Sequence, residues 1–258
     1  MITIFQAIIL GLIQGAMELF PISSLGHSVI IPKLLGWNIS QNDPFFLTFL
    51  VATHLATALV LFYFFWAEWK RIFGGLARSF KARQVSSSDT YAKLGWLLVV
   101  GTIPAGILGL IFQDSIRNLL NSAAEAAFFL MVNGLILLLA EALRRNRKSA
   151  AGQTPLQSDE HVARLKWFSA VKVGTAQAAA LIPGISRSGS SMAGGLLAGL
   201  DNEAAARFSF LLATPIIGAA AVLKIPELFN SANSDLRGPA LAGPCTLSQI
   251  CLATAAKA

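Results

Sequence analysis

Charged side chains are what this sequence has least of. Only 13% of its 258 residues are Asp, Glu, Lys or Arg, about half the ~25% of an ordinary soluble domain. Together with 55% hydrophobic residues and a mean hydropathy of +0.63, that shortage excludes a disordered chain and a coiled coil. A sphere of 27.4 kDa also has too little interior to hide so much apolar surface from water, so the bilayer is the expected solvent. Cysteine is nearly absent. Cys245 and Cys251 lie close together with no His or Cys partner at zinc-like spacing, and they say little about function. No Lys or Arg precedes Lys33, which removes the basic region a signal peptide would need. A Walker loop, Cx5R and HExxH are missing too.

What is present is apolar length. About 20 residues of helix cross a hydrocarbon core, and the stretches 45–67, 94–112, 123–143 and 204–223 meet that need. The stretch 1–13 is apolar but stops short at Gln14 and Glu18, and 167–200 is broken by Pro183, Gly184 and a Ser/Gly run. The net charge of +7 would suggest nucleic acid in a soluble protein. Here it reads as cytoplasmic loops, with no nucleic-acid partner. Lys70, Arg71, Arg78, Lys81, Arg83 and Lys93 fall in one expected loop, and Arg144, Arg145, Arg147, Lys148, Arg164 and Lys166 in another. Both are placed inside, so the connections at 36–43, 113–121 and 226–237 face outward. The segment 149–160 is expected to be a polar, flexible loop. The expected fold is all-α: a polytopic transmembrane helix bundle forming one domain, 1–258.

Two segments resemble each other. The first, 14–27, runs Gln14, Glu18, Pro21, Ser23, Ser24, His27; the second, 177–191, runs Gln177, Pro183, Ser186, Arg187, Ser188, Ser190, Ser191. Aligned on Gln, Pro and the serines, they match with one inserted residue at Gly184 and one residue fewer between Gln and Pro in the second. In each, a helix runs into Pro, a Ser/Gly turn follows, and a second apolar helix begins. Their opposite flanking charge predicts two broken or re-entrant helix pairs in an inverted-topology repeat, meeting near the midplane. Unwound backbone at that depth must be buried in protein or line a wet cavity. Two helix starts facing that cavity would favour a highly negative group such as phosphate.

Within these motifs Glu18 is the strongest signal, because a carboxylate in an apolar segment is costly unless paired or hydrated. Gln14, one turn earlier, shares its helix face. Glu18 reads as a metal ligand or proton carrier, against a carboxylate at a helix end near the headgroups. Arg187 has guanidinium donors that match phosphate oxygens; the competing reading is a buried salt bridge, with Glu18 itself a candidate partner. His27 suits acid–base or nucleophilic chemistry. Ser23, Ser24, Ser186, Ser188, Ser190 and Ser191 are phosphate ligands, a nucleophile or helix caps, with Ser24 the nucleophile to test. His54 reads as a hydrogen-bonded core histidine, and His161 is assigned nothing. Lys172 reads as snorkelling to the cytoplasmic interface, and the Trp and Phe residues at 65–69 as an interfacial belt.

ELFPISSLGH (18–27), preceded by Gln14, and PGISRSGSS (183–191), followed by RFSFLLATP (207–215), resemble the signatures of undecaprenyl-diphosphate phosphatases of the bacitracin-resistance type. The resemblance covers about residues 1–235. It implies an integral enzyme of the bacterial cytoplasmic membrane, open to its outer side, that removes the terminal phosphate of undecaprenyl diphosphate. The product is the lipid carrier for peptidoglycan. It implies a divalent cation, Mg2+ or Ca2+, with Gln14 and Glu18 in the acidic, metal-engaging motif. Glu18, Ser24, His27 and Arg187 become the catalytic set, and Ser23, Ser186, Arg187, Ser188 and Ser191 the phosphate-binding set. Ser191 stands where the family usually has Thr. The partners implied are the lipid substrate and membrane lipids, with a homodimer left open. The tail 239–258 is too short and too interrupted by Gly243 and Pro244 for the further helix the family pattern calls for. Another membrane phosphatase motif, SRx5Hx3D, is absent, since Met192 or Ala193 falls on its His position. The rival reading is an inverted-repeat secondary transporter or lipid flippase with Glu18 as proton carrier.

Overall fold

A computed structural model describes residues 2–39, 44–86, 88–119, 122–145 and 155–229. The tail 239–258 lies outside the described residues, as does most of the connection expected at 226–237. Among the described residues every regular element is a helix: α1 (Ile4–Leu19), α2 (Ser24–Leu34), α3 (Pro44–Phe64), α4 (Trp66–Ala82), α5 (Thr90–Leu119), α6 (Ala123–Arg145), α7 (Pro155–Ala163), α8 (Trp167–Ala178), α9 (Arg187–Leu197) and α10 (Asn202–Phe229). Residues 1–221 form one unit, and Val222–Ala258 a second that begins within α10. Both sequence motifs and the main core belong to the first unit.

Two helices are long and apolar enough to cross a bilayer, α5 over Thr90–Phe112 and α6 over Ala123–Leu143. A third span results if Thr48–Phe64 and Trp66–Ala82 are counted as one, but the chain bends by 80° between them. The stretch expected to span at 45–67 is therefore helix to Phe64, and its last residues open α4 instead. The reason lies in α4, where Glu68, Lys70 and Arg71 follow within a turn and a half of the bend and could not continue through hydrocarbon without cost. The basic residues expected in a loop at 70–93 therefore lie largely on an amphipathic helix. Its Trp69 and Ile72 are buried, while Trp66, Phe73 and Phe80 stay exposed. The polar stretch expected as a flexible loop also differs: from Pro155 it is helix α7, with Ser158 and Asp159 buried. The stretch expected at 204–223 lies inside α10.

Side by side, α3 lies against α1, α1 against α2, α2 against α6, α6 against α9, α9 against α8, and α8 against α5. The main core is built of Ile72, Leu94, Leu97, Val173, Phe208, Leu211 and Leu212, all essentially inaccessible. Where α5 crosses α8, a Cβ on Gly174 would collide with the carbonyl oxygen of Gly101. Small residues let two backbones touch at such a crossing, the usual device where lipid supplies no hydrophobic drive.

Candidate functional site

Helix α1 carries Gln14 and Glu18 on one buried face, 1% and 6% exposed. It runs through both residues rather than stopping before them, and ends where Pro21 follows the extended Phe20. Ser23 then starts α2: its hydroxyl accepts from the Gly26 N–H at 3.1 Å. The second motif repeats this arrangement. After α8 comes a single 3-10 turn, Ala179–Leu181, then Pro183 and Gly184. Ser186 starts α9, its hydroxyl accepting from the Gly189 N–H, also at 3.1 Å. The serines that align in sequence thus do the same work at the same offset, each capping a new helix.

The two turns pack on one another. A Cβ on Gly26 would stand 3.1 Å from the Gly184 Cα, and one on Gly189 would stand 3.0 Å from the Pro21 carbonyl oxygen. Gly184 has φ +100° and its missing side chain would strike the Ala126 carbonyl on α6, so both conformation and space demand glycine there. Ser188 Oγ donates to the Phe20 carbonyl at 3.4 Å. Asn133, on α6, spans both turns: its Nδ2 donates to Pro21 O at 3.0 Å and its Oδ1 accepts from the Ser186 N–H at 3.0 Å.

At this junction Arg187 Nη2 donates to Glu18 Oε1 at 2.6 Å, with side chains only 15% and 7% exposed. The other carboxylate oxygen accepts from Gln14 Nε2 at 3.1 Å and from Ser24 Oγ at 3.4 Å. Four of the residues singled out in the sequence, from α1, α2 and α9, are thereby joined. The competing reading of Arg187, an ion pair with Glu18, holds as geometry. It does not use up the guanidinium, whose Nη1 makes only a long 3.4 Å contact with Ser209 O. His27 Nδ1 lies 2.7 Å from the Ser23 carbonyl. A carbonyl only accepts, so Nδ1 carries the proton and Nε2 of the neutral ring keeps its lone pair. Ser186 and Ser188 hydroxyls are 3.1 Å apart. Ser191 is turned toward α10, bonded to Ser209 Oγ at 2.6 Å and to the Arg187 carbonyl at 2.9 Å.

The donors offered to a cation are few and hard. Gln14 Oε1 is buried without a hydrogen-bond partner, and the Glu18 carboxylate stands beside it. No group of three or more His, Cys, Asp or Glu side chains comes together among the described residues. That set fits a Mg2+-like ion that keeps waters and takes further oxygens from a phosphate, and does not fit an all-protein cage.

Several residues escaped the sequence reading. Asn133 is a lone amide within an apolar helix, a signal of interhelical bonding that could have been used. Ser209 gave no signal. His54 donates to the Leu50 carbonyl at 2.7 Å, as a core histidine should. Gln177, aligned with Gln14, is buried with neither amide atom partnered. A second charged cluster lies apart from the motifs: Arg207 donates to Asp159 (2.7 Å) and to Glu68 (2.8 Å), and its guanidinium stands 5.5 Å from the Phe65 ring. His161, assigned nothing from sequence, pairs with Asp201 at 2.9 Å.

Comparison with known proteins adds a lineage to this geometry. Residues 7–256 match the family model described as bacitracin resistance protein BacA. An undecaprenyl-diphosphatase of Mycolicibacterium paratuberculosis is 44% identical over 254 residues, covering 92% of this chain and 83% of its own. One from Granulibacter bethesdensis is 46% identical over 232 residues, covering 88% and 76%. An undecaprenyl-diphosphatase 2 of Chromobacterium violaceum is 40% identical over 246 residues, covering 95% and 84%.

Proposed function

This chain belongs to the bacitracin resistance protein BacA family, and from that membership we propose that it is a membrane-embedded undecaprenyl diphosphatase. The observation that carries the reading is the Glu18–Arg187 pair, with Ser24 against the same carboxylate, where two helices begin. Arg187 offers its spare N–H donors to the terminal phosphate, beside the positive ends of α2 and α9. Ser24 Oγ attacks the terminal phosphorus and loses its proton to Glu18, on which it already leans. The anhydride P–O bond breaks, undecaprenyl phosphate leaves, and a phosphoserine remains. His27, through Nε2, takes a proton from the water that attacks this phosphoserine; the P–Oγ bond breaks, Glu18 returns its proton to Ser24 Oγ, and phosphate is released. Ser23 and Ser186 hold the two helix starts in place, and the Ser186 and Ser188 hydroxyls complete the phosphate's surroundings. Gln14 and Glu18 are the residues that would hold a divalent cation, which would supply neutralisation of charge on the leaving group.

The finer architecture supports the same reading. The matched caps and the reciprocal glycine contacts favour an inverted-topology repeat with two re-entrant pairs. The clusters of basic residues favour insertion in the cytoplasmic membrane with the site open outward. The repeat is also what favours the second reading, a transporter or flippase. Phosphate release from undecaprenyl diphosphate by the purified protein in detergent separates them, because no gradient exists there. Release stimulated by Mg2+ or Ca2+ and lost in Glu18→Gln and Arg187→Ala is expected; silence of folded protein under every cation condition would leave the transporter.

A further inference from the structure

We infer that Asn133 is a positioning residue for this site: its amide clamps the two broken-helix turns in the register that brings Ser24 and Glu18 to Arg187. The inference rests on the proposed hydrolytic reading for its kinetic consequence and on geometry alone for the clamp. Asn133 is 3% exposed, in the middle of an apolar helix that touches α2 on one side and α9 on the other. Its two bonds join positions 112 and 53 residues away, both at 3.0 Å. They land beside the reacting groups. Pro21 lies midway between Glu18 and Ser24, and Ser186 immediately precedes Arg187. Gly189 closes on the same side chain, for a Cβ there would stand 3.1 Å from Asn133 Oδ1.

The chemistry explains the residue type. Pro21 O can only accept and Ser186 N–H can only donate, so the bridging group must offer one of each in a fixed plane. An amide does so; a carboxylate lacks the donor and an aliphatic side chain lacks both. The clamp also acts where the chain is least self-supporting. Outside their helices these turns have no ladder of backbone bonds, and an unpaired N–H or C=O at this depth is costly. Loss of the clamp leaves Arg187 with its donors and the helix starts intact, so the diphosphate still binds. What is lost is the alignment between attacking oxygen and phosphorus, where displacement by about 1 Å costs on the order of 100-fold in rate.

Two variants separate the clamp from packing: Asn133→Ala, which removes volume and both bonds, and Asn133→Leu, which keeps the volume and removes the bonds. Both are expected to lower kcat for phosphate release from undecaprenyl diphosphate by roughly 10- to 100-fold, with KM within about 3-fold. A second readout does not depend on turnover. Spin labels on Cys substituted at Leu19 and Leu197, both exposed, with Cys245 and Cys251 replaced by Ser, report the distance between the ends of α1 and α9. Its distribution should widen in both variants. Unchanged kcat, a loss explained wholly by less folded protein, an unchanged distance distribution, or unfolding of both variants would each overturn the clamp. If the parent protein releases no phosphate, the hydrolytic reading fails while the distance measurement still decides the clamp.

Discussion

Among the described residues, Arg207 and Arg187 both sit largely out of solvent against carboxylates, and they are served differently. Arg207 faces two acids and spends three N–H contacts on them, at 2.7, 2.8 and 3.3 Å, with Phe65 against its face. Arg187 faces one acid at 2.6 Å and otherwise a carbonyl at 3.4 Å. The first cluster already spends its guanidinium on two carboxylates of its own, which leaves it little to offer an anion. The second is neutral, flanked by hydroxyls and two helix starts, and keeps donors in reserve. One buried ion pair is a fastener; the other is half of a binding site. The surroundings of each guanidinium, rather than its burial, make the difference.

That contrast can be broken at either end. The largest effect is expected at Arg187: Arg187→Ala should cut phosphate release by about 1,000-fold or more, and, because it leaves the buried Glu18 without its cation, it should lower the melting temperature as well. Equal losses from Arg187→Ala and Arg207→Leu, at equal folded fractions, would erase the distinction. Next comes Arg207→Leu, which strands Asp159 and Glu68 and should cost about 3–5 kcal/mol of stability, measured by thermal unfolding in detergent, while the kcat of the protein that stays folded holds. His27→Gln follows, with a kcat lower by roughly 100-fold and no change in unfolding. Ser186→Ala removes a helix cap and should cost about 1 kcal/mol, seen in unfolding before it is seen in KM.

The smallest effect concerns Asp89, on the exposed side of the α4–α5 connection. Arg78, bonded to it at 2.8 Å, holds its carboxyl below the usual aspartate range. A depressed carboxyl pKa stabilises the fold above its unfolded value, and that contribution disappears as the pH drops through the folded value. Asp89→Asn should therefore lower the unfolding temperature slightly at pH 7, lower it less at pH 3, and leave turnover alone. A larger loss at pH 3 than at pH 7 would reverse the sign.

What could be read in the sequence was local or costly. Glu18 and Arg187 announce themselves because charge in an apolar stretch needs a reason, and the Pro, Gly and Ser breaks announce the turns because those residues act on the backbone within a few positions. The apolar lengths of α5 and α6 were equally plain. The rest depended on distant partners. Nothing near Arg207 points to Asp159, 48 residues back, or to Glu68, 139 residues back, and without them α7 looks like a polar loop. The 80° turn after Phe64 involves neither Pro nor Gly. The charges at Glu68, Lys70 and Arg71 favour it, and it is completed by burying Ile72 beside Gly95 on α5, a partner that a window of 20 residues cannot see. Asn133 was visible as an oddity, but its two acceptable partners lay in segments that only folding brings together.

The reciprocal contacts of Gly26 and Gly189 reach beyond catalysis. Each glycine is small because the opposite turn occupies the space its side chain would need. A mutation in one half is therefore judged by the backbone of the other, and neither half is free to accept variation alone. Exchanging a single motif with that of a distant homologue should fail where exchanging both succeeds, so the heritable unit is the pair.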